Sequence, residues 1–302
     1  MDARITKQRL ANQLSYDWMK IIAAAIGVIF LFLVIFTTIA TSPTNAQCFT
    51  VYAYTDLKSG EDANLIADTL KTTKTLSYET LKVEFEAFGG NDYANEAFTA
   101  RRAAGQGDVM FISDNEILNE DGTLKTASAL KTFCVNYAGV GRDTEEFFAE
   151  CEEYLNGFFG DWRTGDLDEE KAKQAFLIRN EKDKRFKRDA QIQAGIESEF
   201  ARLNDLRDDL RFVYDCFERG LFSHTYFTPE GETTAQAVAI RVGGTGMSGL
   251  SRLLYHLNED GTAASNTINL IVFDNKDRNG EMEYETVTFL RYLAETYENV
   301  QA

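Results

Sequence analysis

The chain has 302 residues and a formal net charge of −17, with 48 acidic against 31 basic side chains. A strongly acidic surface repels nucleic acid and anionic lipid, which excludes both as partners for most of the molecule. Four cysteines without a Cys-x-x-Cys pair are too few for a disulfide scaffold, and two separated histidines provide no zinc-ligand pair. We therefore predict no cofactor, no metal and no nucleic-acid partner.

The most distinctive segment near the start runs from Ile21 to Ala40 and carries no charged side chain. A helix of that length rises about 30 Å, the thickness of the hydrocarbon core of a bilayer. Basic residues precede this segment, and no Lys or Arg follows it before Lys58. By the positive-inside rule, residues 1–20 are predicted to be a cytoplasmic tail and residues 21–41 a transmembrane signal anchor. The main domain is then extracellular, at the cell membrane.

Two alternatives apply to the same segment. A cleaved signal peptide has a shorter apolar core, about 7–15 residues, and a small-x-small cleavage site. The nearest such site here is Thr44-Asn45-Ala46, and Gln47 stands before Cys48 where a lipoprotein signal needs a small residue. A soluble core helix is the second alternative, although such helices are rarely this long without a charge. A retained anchor is the preferred interpretation.

The rest of the chain, residues 48–302, alternates between strand and helix patterns. The predicted strands lie at about 49–54, 83–87, 109–112, 238–242 and 268–273, and the predicted helices at about 60–75, 91–104 and 283–298. Strand–helix–strand order with short connections is typical of a parallel α/β sheet. Residues 143–222 instead follow a helical period, with charges at the intervening positions. We predict an exported α/β domain with a parallel sheet and a helical insertion at about 143–222.

Open α/β sheets bind ligands at the carboxyl ends of their strands, so we predict a site there for a small polar solute or peptide. The predicted residues are Tyr54, Thr55 and Asp56 after the first strand, Gly89, Gly90 and Asn91 after the second, Ser113 and Asp114 after the third, and Asp274 and Asn275 after the last. Ordinary loop and capping roles are the alternative for each of them.

A GxGxxG pattern occupies Gly244-Thr245-Gly246-Met247-Ser248-Gly249, after a predicted strand. In dinucleotide-binding folds these glycines let a pyrophosphate approach a helix N-terminus, with an acidic residue about 20 positions later. Here Asp274 comes too late and only about one more strand follows, so a flexible loop or a ligand-cradling turn is preferred. His224 and His256 have no acid–nucleophile arrangement around them in the sequence. They are interpreted as structural, and no enzyme is predicted.

Residues 275–283 are similar to a calcium loop, with oxygen-bearing side chains at the first, third and fifth positions. Asn275 stands where Asp is expected and Thr286 where a bidentate Glu is expected. A polar connection is therefore preferred, and calcium binding remains the alternative.

Two further features have alternatives of their own. A basic island, formed by Lys182, Lys184, Arg185, Lys187 and Arg188, could dock on anionic headgroups or an acidic partner, or be a solvated turn. Cys151 and Cys216 flank the helical middle of the chain. They could form a disulfide in an oxidising compartment, or be buried as small apolar residues.

Several stretches resemble the extracellular solute-binding proteins of bacterial ABC importers. They are TVYAYTD, KVEFEAFGG, NEAFTARRAAGQGDVMFISD and INLIVFDNKDRNGEMEYETVTFLRYLAETYE. The segment KQRLANQLSYDWMK is similar to the region before the single span of small membrane-anchored Firmicutes proteins of unassigned role. This chain departs from the solute-binding family in its peptide anchor and its helical middle, where the family has a second α/β lobe.

The resemblance implies a type II periplasmic-binding-protein-like fold and a non-catalytic, ligand-binding role. It also implies a membrane permease as partner. The alternative is a scaffold or accessory subunit of a cell-envelope complex, with a degenerate binding cleft.

Overall fold

The structure is a computed structural model that describes residues 18–20, 22–34, 43–88, 93–119, 121, 123–274 and 284–299. The chain divides into two compact units, residues 1–44 and 45–302. In the first unit, residues 18–20 and 22–34 are helical and their side chains are exposed. Within the described ranges no helix is both long enough and apolar enough to cross a membrane. Residues 1–17, Ile21 and 35–42 lie outside those ranges, and the membrane anchor stays a prediction from the sequence.

Among its described residues the second unit contains a sheet of six strands, a sheet of three short strands and a sheet of two short strands. In chain order the strands are β1 Cys48–Ala53, β2 Lys58–Ser59, β3 Lys82–Ala87, β4 Val109–Ser113, β5 Ile117–Leu118, β6 Leu124–Thr126, β7 Ser223–Phe227, β8 Gln236–Arg241, β9 Leu254–Leu257, β10 Ala263–Ala264 and β11 Ile268–Val272. The helices are α1 Ile66–Thr72, α2 Ala94–Ala103, α3 Ala129–Asn136, α4 Thr144–Phe159, α5 Glu169–Arg179, α6 Asp189–Glu218 and α7 Glu285–Tyr297.

The order of the main sheet is β3-β1-β4-β11-β8-β7. β1 lies between β3 and β4 and is parallel to both, which confirms the parallel arrangement predicted for the first half of the domain. β11 is antiparallel to its two neighbours, and β7 is antiparallel to β8. Four of the six strands therefore run in one direction, and β11 and β7 run in the other.

The predicted parallel arrangement is wrong for the second half of the domain. Parallel neighbours need a long crossover, usually a helix, whereas antiparallel neighbours need only a short connection. Between β8 and β11 the chain forms a five-residue 3-10 helix, Ser248–Arg252, and the β9–β10 hairpin. No crossover helix occurs there, so β11 enters the sheet in the opposite direction.

The apolar run of β4 places it at the centre of three layers. All five of its residues are buried, as predicted for a strand covered on both faces. Val109 and Phe111 contact the core shared with α1, α4, α6 and α7, and Met110 and Ile112 contact the core shared with α2 and α3. Helices α4, α5 and α6 occupy the segment predicted to be helical. α4 packs on β8, and α5 and α6 pack on α4 and on each other.

Asp143 shows how a local signal and a tertiary contact act together at the start of α4. Its Oδ1 accepts hydrogen bonds from the N–H groups of Glu145 and Glu146, at 2.9 and 3.2 Å, which caps the helix. Its Oδ2 accepts a hydrogen bond from the N–H of Ala237 in β8, at 3.0 Å. One carboxylate therefore caps α4 and attaches it to the sheet.

The four cysteines are free thiols. Cys151 in α4 and Cys216 in α6 are each fully buried in the core between the sheet and the helices. The structure thus has them as small buried residues, which was the alternative to a disulfide.

Candidate functional site

The carboxyl ends of β1, β3, β4 and β8 meet at one edge of the sheet, here called the carboxyl edge. Asp56, after β1, accepts a hydrogen bond from the N–H of Ser113 at the end of β4, with 3.0 Å between N and Oδ2. The N–H of Tyr54 donates to the carbonyl of Phe111 in β4, at 2.9 Å. The predicted residues after the first and third strands are therefore brought together.

Asp274 does not lie at the carboxyl edge. Because β11 runs in the opposite direction, its end lies beside the start of β4, where the N–H of Phe273 donates to the carbonyl of Asp108 at 2.9 Å. The carbonyl of Asp274 accepts a hydrogen bond from Arg102 Nη2, at 2.9 Å. Asp274 was predicted to lie with Asp56 and Ser113. It lies at the opposite end of the sheet, because β11 runs in the opposite direction to β1 and β4. The predicted site residues Gly89, Gly90, Asn91 and Asn275 lie outside the described residues.

A cavity of about 160 Å³, here called the edge pocket, opens at the carboxyl edge. Its polar lining residues are Asp56, Lys58, Ser113, Asn115, Thr126 and His256. At about 30 Å³ for each water molecule, the edge pocket has room for a group of roughly five heavy atoms. Pockets for drug-sized ligands measure about 300–1,000 Å³, so this one suits a small solute.

Asp56 lines the edge pocket and has unused hydrogen-bonding capacity. Its Oδ1 is buried and has no hydrogen-bond partner in the described part of the chain. Burial raises the pKa of Asp56 above its usual value, and the hydrogen bonds from Ser113 oppose that rise. A buried acceptor without a partner costs stability, and a ligand N–H or O–H would remove that cost.

His256 lines the same pocket from β9 and is only 3% exposed. Its Nε2 lies 2.9 Å from Oγ1 of Thr267, while its Nδ1 is buried without a hydrogen-bond partner among the described residues. Burial lowers the pKa of His256 below its usual value. A neutral imidazole has one donor and one acceptor nitrogen. From the sequence, His256 is interpreted as structural because no acid–nucleophile arrangement accompanies it.

Two hairpins with the same Asn-Glu-Asp-Gly-Thr turn form part of the wall of the edge pocket. In both turns the N–H of the first residue donates to the carbonyl of the last, at 2.7 Å in β5–β6 and 2.9 Å in β9–β10. The aspartate Oδ1 accepts from the N–H of the last residue at 2.9 Å in both. Lys125 Nζ lies 2.7 Å from Oε1 of Glu259 and joins the hairpins. The pentapeptide occurs at 119–123 and 258–262 and is a turn signal in the sequence, and the fold brings the two turns together.

The other predicted residues at this edge have positioning and packing roles. Asp114 accepts a hydrogen bond from Oγ of Ser128 at 2.7 Å, and Ser128 caps α3 by accepting from the N–H of Lys131. Asp114 therefore holds α3 beside the pocket. The ring of Tyr54 packs edge-on against Phe133, and Thr55 is half-buried in the turn after β1.

The GxGxxG segment does not lead into a helix that could bind a pyrophosphate. It is followed by the 3-10 helix of five residues, Ser248–Arg252, which is too short for a helix dipole. A Cβ on Gly246 would lie 2.3 Å from Leu221 Cδ2, and one on Gly249 would lie 2.8 Å from the carbonyl oxygen of Tyr297. These glycines allow close packing.

The remaining candidates are His224 and the calcium-like loop. His224 Nδ1 lies 2.8 Å from Oγ1 of Thr144, and its ring stacks on Phe217 at 4.7 Å between centroids, as expected for a structural residue. In the described ranges no group of three or more His, Cys, Asp or Glu side chains could hold a metal ion. The calcium-loop segment, residues 275–283, lies outside those ranges.

The chain matches no protein-family model, and neither a curated protein nor a solved structure matches it. The function must therefore be argued from the edge pocket and its chemistry.

Proposed function

We propose that residues 48–302 form a non-catalytic binding domain that holds a small polar solute in the edge pocket. The burial and hydrogen bonding of Asp56 support this proposal. Its position is held by the N–H of Ser113, while its Oδ1 is buried and unpaired among the described residues. Such an arrangement costs stability in the free protein, and a donor group on a ligand would satisfy it.

The lining of the pocket defines the chemistry of the solute. Asp56 Oδ1 accepts a hydrogen bond from an ammonium or hydroxyl group, and His256 Nδ1 provides a second polar contact. Lys58 is exposed at the pocket and has no ion pair in the described part of the chain, so it suits a carboxylate or phosphate on the ligand. A small amine or polyol, with or without an acidic group, meets these requirements.

The proposal includes the location predicted from the sequence. Residues Ile21–Ala40 would tether the domain to the outer side of the cell membrane, and a permease of the ABC type would receive the solute. In intact protoplasts, external protease should then digest the region after residue 48 and spare a tag at the N-terminus. Digestion of the tag with protection of the domain contradicts this topology.

The second candidate is a scaffold or accessory subunit of a cell-envelope complex. It is supported by the small volume of the edge pocket and by exposed apolar side chains on α5, where Ile178 is 78% exposed. A protein of this kind would bind a protein partner and no solute.

Thermal melting of the full chain in mild detergent, with a panel of small amines, amino alcohols, amino acids and sugars, separates the two. A ligand at 100 times its dissociation constant adds about 2.7 kcal/mol to stability. Asp56→Asn should abolish the shift, because the amide lacks the charge that selects the donor, and Asp166→Asn, at an exposed position, should retain it. Unchanged melting with every compound, together with co-purification of a membrane protein, would support the scaffold.

A further inference from the structure

A larger cavity of about 430 Å³ lies apart from the edge pocket, and the two have no described lining residue in common. It opens between the loop that follows α1 and the helices α6 and α7, and is here called the helical cavity. Its volume falls in the range of about 300–1,000 Å³ that is typical of ligand sites. The solute-binding function proposed for the carboxyl edge does not involve this cavity.

The helical cavity combines an apolar lining with unpaired charges of opposite sign. Leu70, Leu76 and Leu206 line it and are at most 6% exposed. Lys71 and Lys74 are exposed at the end of α1, and Asp205 is exposed on α6. None of these three charged side chains has an ion pair or hydrogen bond among the described residues. They are therefore available to a ligand that carries both charges.

The buried polar groups of the helical cavity are already held in place. Asp209 accepts hydrogen bonds from Thr288 Oγ1 at 2.6 Å and from Arg291 Nη1 at 2.9 Å. Glu285 Oε2 accepts from the N–H of Ser77 at 3.0 Å. These bonds fix the walls on α6 and α7, which lowers the conformational cost of binding. Burial and the charge of Asp208 raise the pKa of Asp205, and the charge of Arg291 opposes that rise.

We infer that the helical cavity binds a short zwitterionic peptide with apolar side chains. The peptide carboxylate faces Lys71 and Lys74, its ammonium group faces Asp205, and its side chains contact the buried leucines. Two or three extended residues span about 7–11 Å, which suits a cavity of this volume. This site is independent of the solute proposed for the edge pocket.

Calorimetry on the full chain in mild detergent tests the inference with three probes: Leu-Leu, the same peptide with both termini blocked, and Leu-Leu amide. Leu-Leu should bind, the blocked peptide should not, and the amide should bind at least about tenfold more weakly, because a charge-assisted contact is lost. Hydrogen–deuterium exchange with bound Leu-Leu should slow in residues 70–78 and 198–209.

Variants of the charged residues provide the second half of the test. Lys71→Glu with Lys74→Glu, and separately Asp205→Asn, should each weaken Leu-Leu binding by about tenfold or more. The matched controls are Lys184→Glu and Glu218→Gln, at exposed positions outside the cavity, and they should bind as the native protein does. Thermal melting checks that each variant is folded.

Three outcomes overturn the inference. Leu-Leu fails to bind at millimolar concentration, or the charge variants bind it as tightly as the native protein does. In the third, bound Leu-Leu slows exchange at residues 56–58 and 113–117 instead, which places the peptide in the edge pocket. That third result would leave the proposed solute-binding function intact. If both proposals hold, Asp56→Asn loses solute binding and still binds Leu-Leu as the native protein does.

Discussion

The carboxylate of Asp56 accepts a hydrogen bond from the N–H of Ser113, which is 57 residues away in the chain, at 3.0 Å. This contact joins the ends of β1 and β4 and fixes the Asp56 side chain. Its second oxygen remains buried without a hydrogen-bond partner among the described residues. A side chain that is held in place and yet unsatisfied lowers the stability of the free protein, and this is the property that the first prediction tests.

Asp56→Asn should increase the free energy of unfolding at pH 7 and leave it unchanged at pH 3. Burial raises the folded-state pKa of Asp56 above 3.8, so native stability falls as pH rises from 3.8 through the folded pKa. The amide retains the acceptor for Ser113 and has no charge to desolvate. Urea denaturation at both pH values measures the effect, with Asp166→Asn as the exposed control. A variant that is less stable at pH 7 would contradict the interpretation of Asp56.

Glu199→Gln should lower the free energy of unfolding by about 3–5 kcal/mol, because the buried guanidinium of Arg202 loses its counter-charge. Glu199 is fully buried, and its two oxygens lie 3.0 and 3.1 Å from Arg202 Nη2 and Nε. Glu197→Gln, at an exposed position on the same helix, is the matched control and should change stability by less than about 0.5 kcal/mol. Urea denaturation at pH 7 measures both variants.

The pKa of Glu199 leads to a second prediction, on how the native protein and Glu199→Gln differ in acid. Burial alone would raise the pKa of Glu199, but the charges and hydrogen bonds of Arg202 and Arg179 lower it from 4.5 to about 2. A depressed carboxyl pKa contributes stability above pH 4.5 that is lost as the pH falls toward 2. The stability difference between the native protein and Glu199→Gln should therefore shrink over that interval. A difference that stays constant from pH 5 to pH 2.5 would show that Glu199 is not ionised in the fold.

Arg185 should behave differently from the rest of the basic island. Its Nη2 lies 2.6 Å from Oε2 of the buried Glu79, so Arg185→Gln should lower the free energy of unfolding by about 1–3 kcal/mol. Lys184 and Lys187 are exposed, and changing both to Gln should have almost no effect. Thermal melting compares the variants. Docking of the exposed lysines on an anionic surface stays a prediction, and it must be tested without changing Arg185.

Substitution by alanine should change the free energy of unfolding in opposite directions at two glycines. A Cβ on Gly107, whose φ is +95°, would lie 2.2 Å from Cε2 of the fully buried Tyr52, so Gly107→Ala should cost more than about 2 kcal/mol. A Cβ on Gly157 in α4 meets no atom within 4 Å. Gly157→Ala should therefore stabilise the protein by about 0.5–1 kcal/mol. Urea denaturation of both variants checks the sign of each effect.

Part of the candidate site could be predicted from strand patterns alone. The apolar run at Val109–Ile112 indicated a strand buried on both faces, and the polar residues that follow it lie at the carboxyl edge. His256 could not be predicted in this way, since it reaches the pocket through a short antiparallel hairpin. Asp274 was misplaced, because the alternation of apolar residues in a strand is the same for either strand direction.

Features that depend on neighbours in the chain could be predicted from local patterns. They are the buried strands, the helical period of residues 143–222 and the two Asn-Glu-Asp-Gly-Thr turns. Three features could be seen only in the folded chain: the direction of β11, the pairing of Arg185 with Glu79, and the presence of His256 and Asp56 in one pocket. These features depend on contacts between residues that are far apart in sequence. Such contacts form where distant apolar faces pack, and local periodicity contains no information about which faces meet.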